Sequence, residues 1–337
     1  IPADPALIGL DDPLHTARRN VVARRFTPKG VTRWEDHIGA VSDEIIDGAL
    51  ARGEGDVVAD LAAELPARMI ALLLGFPEET WPQLKHWSET TIGLGGGPRY
   101  MTEDRMAAVM EFAGASAELY EQKKACPADD VMSRWIEVED ASGGRVGGEP
   151  FGLDQIISDC LLLLDGGAET TRTVIARILL ELADRPDQWD LLRGGADLTV
   201  AVEEFIRWVT PIHNFCRVAV RDAEVGGQLV SEGQQVLLCY ASANRDPSHF
   251  DHPDRFEVTR SPNHHLSFGF GTHFCLGAAL ARLEISSFFE RLIDRVERIE
   301  RLPDRPHDEM PNAFVFGLAV SHLRLHPGDR ERGQLPR

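Results

Sequence analysis

The chain has 337 residues, of which 26 % are charged and 43 % hydrophobic, the make-up of an ordinary globular protein long enough to bury a substantial core. A formal net charge of -19 excludes a nucleic-acid binder that tracks phosphates, because no lysine-rich stripe exists to neutralise them. The five cysteines are odd in number and form no C-x-x-C pair, no apolar run reaches membrane-spanning length, and no secretory pattern opens the chain, which predicts a cytoplasmic protein without a membrane span.

Taken in order, Asp11 or Asp12 can cap a helix with Pro13 at its first position, and Leu14 to Phe26 continue without a breaker. His15 and Arg19 fall on one face of it at i and i+4. Helical spacing recurs over 34–52 and 60–74, with breaks at Gly53-Glu54-Gly55 and Gly75-Phe76-Pro77. A short helix over 78–91 leads to the glycine run 93–97. No strand precedes that run and no G-K-S/T follows, so it predicts a flexible connection rather than a nucleotide loop. Helices over 103–124 and from Asp130 to a turn at Ser142-Gly143-Gly144 come next.

Residues 151–183 read as one long apolar helix with a flaw, because Gly166 and Gly167 each cost about 1 kcal/mol relative to alanine. After Arg185-Pro186, helices are predicted over 189–193 and 198–209, the second carrying Glu204 and Arg207 at i and i+3. Short strands are predicted over 215–220, 228–230 and 235–240, then a turn-rich stretch to Pro262. The segment from Phe268 to Gly277 holds Gly269, Gly271 and Gly277, while helix formers run from Ala278 to Arg298. Cys275 therefore stands where a loop enters a helix, a place that favours the thiolate.

The pattern Phe268-x-x-Gly271-x-x-x-Cys275-x-Gly277 resembles the cysteine-ligand loop of the cytochrome P-450 family, in which a thiolate binds haem iron. Gly167-x-Glu169-Thr170-Thr171 resembles that family's oxygen-activation motif, with Gly166 where alanine is usual. Asp11 to Arg19 with Phe26-Thr27-Pro28 resembles its propionate-binding helix. The resemblance implies a mainly α fold with a small β-sheet region, a single domain over 1–337, with the N-terminal portion of the fold absent from this chain.

It further implies heme b with Cys275 as axial ligand, His15, Arg19, Arg217 and His273 on the propionates, and Phe268, Gly271 and Gly277 shaping the loop. Thr170 and Glu169 would deliver protons. Glu204, Arg207 and Arg255 would form a buried charge network. Leu164, Gly166, Ile212, Phe314 and Val315 would line the substrate pocket, and the glycine run would be a lid over its channel. The implied activity is monooxygenation of a hydrophobic small molecule with O2, with electrons from a ferredoxin and its ferredoxin reductase. Arg18, Arg24 and Arg25 would receive the ferredoxin. The runs Phe215-Cys216-Arg217-Val218 and Pro262 to Cys275 resemble actinobacterial hydroxylases of steroid side chains or branched lipids.

Alternatives from other classes stay open. One is a haem-binding relative without catalysis, given the missing N-terminal part. Another is a peroxide-driven enzyme, against which the Glu169-Thr170 pair stands. A third is a structural zinc protein using His249, His252, His264, His265 and His273 near Cys275, although no H-x3-H or C-x-x-C spacing supports it.

Overall fold

Helices carry most of the chain in this computed structural model, which describes residues 5–328. The first, α1 (Leu14–Val22), tightens into a 3-10 turn over Ala23–Phe26, so the uninterrupted helix expected to Phe26 ends a turn early. Asp12 caps it by accepting from the Thr16 amide at 3.1 Å. Then come α2 (Pro28–Val31), α3 (Glu35–Arg52), α4 (Glu64–Leu74), α5 (Trp81–Thr91), α6 (Glu103–Ala125) and α7 (Val131–Ser142). The glycine run after α5 forms 3-10 turns over Ile92–Gly96 and Pro98–Tyr100.

The long helix α8 (Leu153–Asp184) is unbroken through both glycines. It is the spine of the molecule. Its first half, with Ile156, Cys160 and Leu164, packs into one apolar core with α1 and α4 to α7. Its second half, from Val174 to Leu182, packs into another with α3, α10 (Leu198–Val209) and α12 (Ala278–Arg295). The segment Asp165–Thr173 belongs to neither core. Between α8 and α10 lies α9 (Pro186–Arg193), and α11 (Tyr240–Ala243) follows the small strands.

Strands missed in the sequence close the second core. Glu54–Asp56 (β1), in the expected break between helices, pairs with His322–Pro327, and Val296–Arg301, where the sequence predicts the end of α12, pairs with the other edge of that strand. Val296 and Ile299 are buried there, which favours sheet over a further helical turn. Of the remaining strands, Arg145–Val146 (β2) and Glu149–Pro150 (β3) form a small hairpin. Asn214–Val218 (β4) pairs with Gln235–Cys239 (β7), and Ala223–Val225 (β5) with Gln228–Val230 (β6). Among the described residues these two pairs join no larger sheet, and Val218, Val220, Val225, Leu229 and Leu237 are exposed on them.

Candidate functional site

Cys275 hangs between the two cores. Leu276 packs on the first and Phe268 on the second, so the cysteine loop spans the same seam as the unclaimed Asp165–Thr173 segment of α8. The Cys275 amide donates to the Phe268 carbonyl at 2.8 Å, which closes the loop. Gly269 and Gly271 have φ of 71° and 76°, a region that penalises any side chain. A Cβ on Gly271, Gly277 or Gly166 would meet no atom within 4 Å. Open space thus lies beside the loop and beside α8.

Burial pushes the Cys275 thiol up, and the Gly277 amide, Arg19 and Arg282 counter it only in part. The position of the helix start therefore does not by itself make a thiolate. A coordinated metal cation deprotonates such a thiol, so this sulfur fits a metal-bound role.

The groups expected to hold propionates gather at one flank. His15 is buried and its ring centroid lies 4.0 Å from that of His273. Arg19 donates to the Phe274 carbonyl at 2.7 Å, inside the cysteine loop. Burial holds both histidines below their ordinary range, and His15 is lowered further by His273 and Arg19, as His273 is by Arg217. Buried His15 Nδ1 has no hydrogen-bond partner, and the nearest carboxylate, Asp12, stands 3.7 Å away. A basic cluster whose two imidazoles lack a close counter-anion, with one ring nitrogen orphaned, fits a dianionic ligand such as haem. Arg217 is exposed and donates to the neighbouring Cys216 carbonyl.

On α8, Glu169 is buried and turned toward α5, where Ser88 donates to it at 2.9 Å and Arg172 pairs with it. Arg172 also reaches Glu89 at 2.8 Å. Burial raises the Glu169 carboxyl while Arg172 opposes the rise. Thr170 donates to the Gly166 carbonyl at 2.7 Å. The two residues thus face different surroundings, although they are adjacent in sequence. A Cβ on Gly167 would overlap Ile70, so this glycine allows α4 to approach.

Several expected roles are corrected. Glu204 and Arg207 are fully buried and doubly bonded at 2.7 and 2.9 Å, but the third member of the network is Arg260, whose Nε donates to Glu204. The Arg255 side chain is exposed and pairs with Glu257, and only its carbonyl serves Arg207 and Arg260. Leu164 and Val315 are buried in packing and face no open space, while Gly166, Ile212 and Phe314 keep some exposure. The glycine run is pinned rather than free: Gly95 abuts Phe314, and Asn312 donates to the Ile92 carbonyl at 3.4 Å. Arg18 is buried against Asp159 at 2.6 Å and takes no part in the surface. Among the described residues, no three His, Cys, Asp or Glu side chains converge as metal ligands, which leaves the zinc reading without a site.

Glu203 was not singled out from the sequence. It accepts from Arg282 at 2.6 Å and contacts His265 at 3.1 Å, and Arg282 lies over the Phe268 ring at 4.4 Å. Against the upward push of burial, these partners hold its carboxyl at about 2. Neighbouring carboxylates on α10 therefore anchor both the approach to the cysteine loop and the start of α12.

The sequence profile of the family Cytochrome P450 matches residues 198–320. A protein of Mycobacterium tuberculosis (strain CDC 1551 / Oshkosh) named steroid C26-monooxygenase is 39% identical over 324 residues, which cover 94% of this chain and 85% of that one. The chain belongs to the cytochrome P450 family. A steroid C26-monooxygenase of Rhodococcus jostii is 38% identical over 299 residues, and there this P450 spans 62% of the relative's length. The crystal structure of CYP109E1 from Bacillus megaterium in complex with testosterone matches at a TM-score of 0.85, with 28% identity, covering 96% of this chain and 85% of that one. Haem with a cysteine thiolate is the cofactor that membership in the P450 family implies, and the fit of Cys275, His15, Arg19 and His273 agrees with it. No helix of the described part of this P450 is long and apolar enough to cross a membrane.

Proposed function

We propose that the chain, as a single domain of the bacterial cytoplasm, is a monooxygenase. It places one atom of O2 in a C–H bond of a hydrophobic small molecule, a steroid or a branched lipid. The observation that carries this is the gathering of His15, Arg19 and His273 around the loop of Cys275, on the seam that α8 leaves open at Gly166. When bound there, haem supplies the oxygen-activating chemistry.

The residues of the chain do the rest. His15, Arg19, His273 and Arg217 bind the propionates. Thr170 holds water in the groove, and Glu169 passes protons from the surface side, where Arg172 bridges it to Glu89. Gly166, Ile212 and Phe314 shape the substrate space. The relatives' names and the testosterone complex support a steroid or a similarly apolar substrate. All five cysteines are free, which suits a reducing compartment.

Electrons come from a ferredoxin served by its reductase. A cleft of about 610 Å³, lined by Arg24, Arg25, Lys29, Arg33 and Arg134 with Asp129, suits an acidic partner. It lies on the segment after α1 that packs against α12, the helix leaving Cys275. Reversing the charge at Arg24 and Arg25 should slow reduction by ferredoxin and weaken its salt dependence, and an unchanged rate at every ionic strength would remove the cleft from the account.

The deciding experiment is an absorption spectrum of the purified protein, reduced and exposed to carbon monoxide, beside Cys275→Ser. A red-shifted Soret band lost in the variant is the expected result. A band unaffected by the substitution, or no haem at all, would overturn the reading. Turnover of a cholesterol-type ketone then tests the substrate class, and failure alongside turnover of a small polar compound would exclude it.

A further inference from the structure

One turn before Glu169, the side chain of Asp165 meets the end of α5. Thr91 Oγ1 lies 2.7 Å from the Trp87 carbonyl oxygen and 2.7 Å from Asp165 Oδ1. A threonine hydroxyl has one hydrogen, and a carbonyl oxygen only accepts. Thr91 therefore donates to Trp87, four residues back on its own helix. The contact with Asp165 then needs a hydrogen from the carboxyl, since two bare oxygens at that distance repel. Asp165 is a neutral acid that donates from Oδ1. Its setting agrees, because burial drives this carboxyl well above its ordinary range.

With Oδ1 committed as donor, Oδ2 is the carbonyl oxygen of the acid and can only accept. It has no hydrogen-bond partner among the described residues. Asp165 keeps partial exposure, and the next residue, Gly166, is exposed with nothing within 4 Å of where a Cβ would stand. Asp165 is thus enclosed on the side of α5 and open beside Gly166. Along the helix Asp165 is about 7–8 Å from Thr170. Ile92 follows Thr91, and its carbonyl accepts from Asn312, two residues before Phe314, so the site adjoins that phenylalanine.

We infer that Asp165 is a specificity-determining residue, a fixed neutral acceptor that selects apolar substrates carrying a hydroxyl group a few bonds from the carbon attacked. The inference rests on the monooxygenase reading above and deepens it. A ketone or an ether offers Oδ2 no hydrogen and sets two acceptors against each other. An unpaired acceptor in an apolar groove disfavours the wrong ligand by about tenfold.

The test uses the haem-loaded protein and a matched set of probes: tetrahydrogeraniol, its methyl ether and the parent hydrocarbon. Dissociation constants come from the Soret shift on titration, which needs no turnover. The alcohol should bind about tenfold more tightly than the ether. Asp165→Leu should abolish that preference. Asp165→Asn should keep it, because the amide can donate to Thr91 and leave its oxygen toward the groove. Equal binding of alcohol and ether by the unaltered protein, a preference that survives in Asp165→Leu, or a haem-loaded protein that binds none of the probes would each overturn the inference and leave the monooxygenase reading standing. A protein that shows no thiolate-haem band would overturn both.

Discussion

Glu284 sits on α12 with its carboxyl buried and Oε2 without a hydrogen-bond partner, and burial alone raises it well above its ordinary value of 4.5. It binds its proton more tightly folded than unfolded. The stability this contributes is full below 4.5 and is lost as pH rises through the higher folded value. Glu284→Gln should therefore stabilise the protein progressively as pH rises from 4.5 toward the folded value and by a constant amount above it, and urea titrations across pH check it. Glu203 has the opposite sign. Its folded value of about 2 adds stability above 4.5 that is lost as pH falls through 2, and Glu203→Gln should remove that acid sensitivity. Removing a partner from the fully buried pair is more severe. Glu204→Ala should cost about 3–5 kcal/mol by stranding Arg207 and Arg260, whereas Arg255→Ala should change stability by no more than about 0.5 kcal/mol. The spacing of Glu204 and Arg207 was legible in the sequence, but Arg260 was not. Which arginine folds back onto Glu204 depends on a turn-rich stretch with no periodicity to read.

The two central glycines of α8 look equivalent in a helical pattern, yet the structure separates them. Gly166 has open space where a Cβ would stand, and Gly167 has Ile70. Gly166→Ala should gain up to about 1 kcal/mol of stability from helix propensity alone. Gly167→Ala should lose about 1–3 kcal/mol unless Ile70 shifts. Thermal unfolding of both variants checks the contrast. Helices with strong periodicity, such as Leu198–Val209, were legible to the residue. The strands at 54–56 and 296–301 were not, because their pairing partner is the distant segment 322–327 and no local signal names it. In the site, Cys275 and its glycines stood out from spacing, and the positive φ of Gly269 and Gly271 gives the reason for two of them. Glu203, Ser88, Thr91 and Arg172 did not, because their roles come from which helix faces which.

At the scale of the molecule, two cores share one helix, and the seam between them is the place left for chemistry. Away from that seam, the pairs β4–β7 and β5–β6 expose Val218, Val220, Val225, Leu229 and Leu237 on a chain of net charge -19. These features set colloidal behaviour in opposition. Mutual repulsion keeps copies of the chain dispersed at low ionic strength, while the apolar strands attract one another at short range. Salt shortens the reach of the repulsion to about 8 Å at 0.15 M and leaves the attraction intact. Light scattering of this chain should therefore rise with added salt, and Val220→Glu with Leu229→Glu should suppress the rise. A flat salt response would mean that the exposed strands are not adhesive. If it does rise, the chain is best handled in dilute buffer, the reverse of usual practice for proteins held together by surface ion pairs.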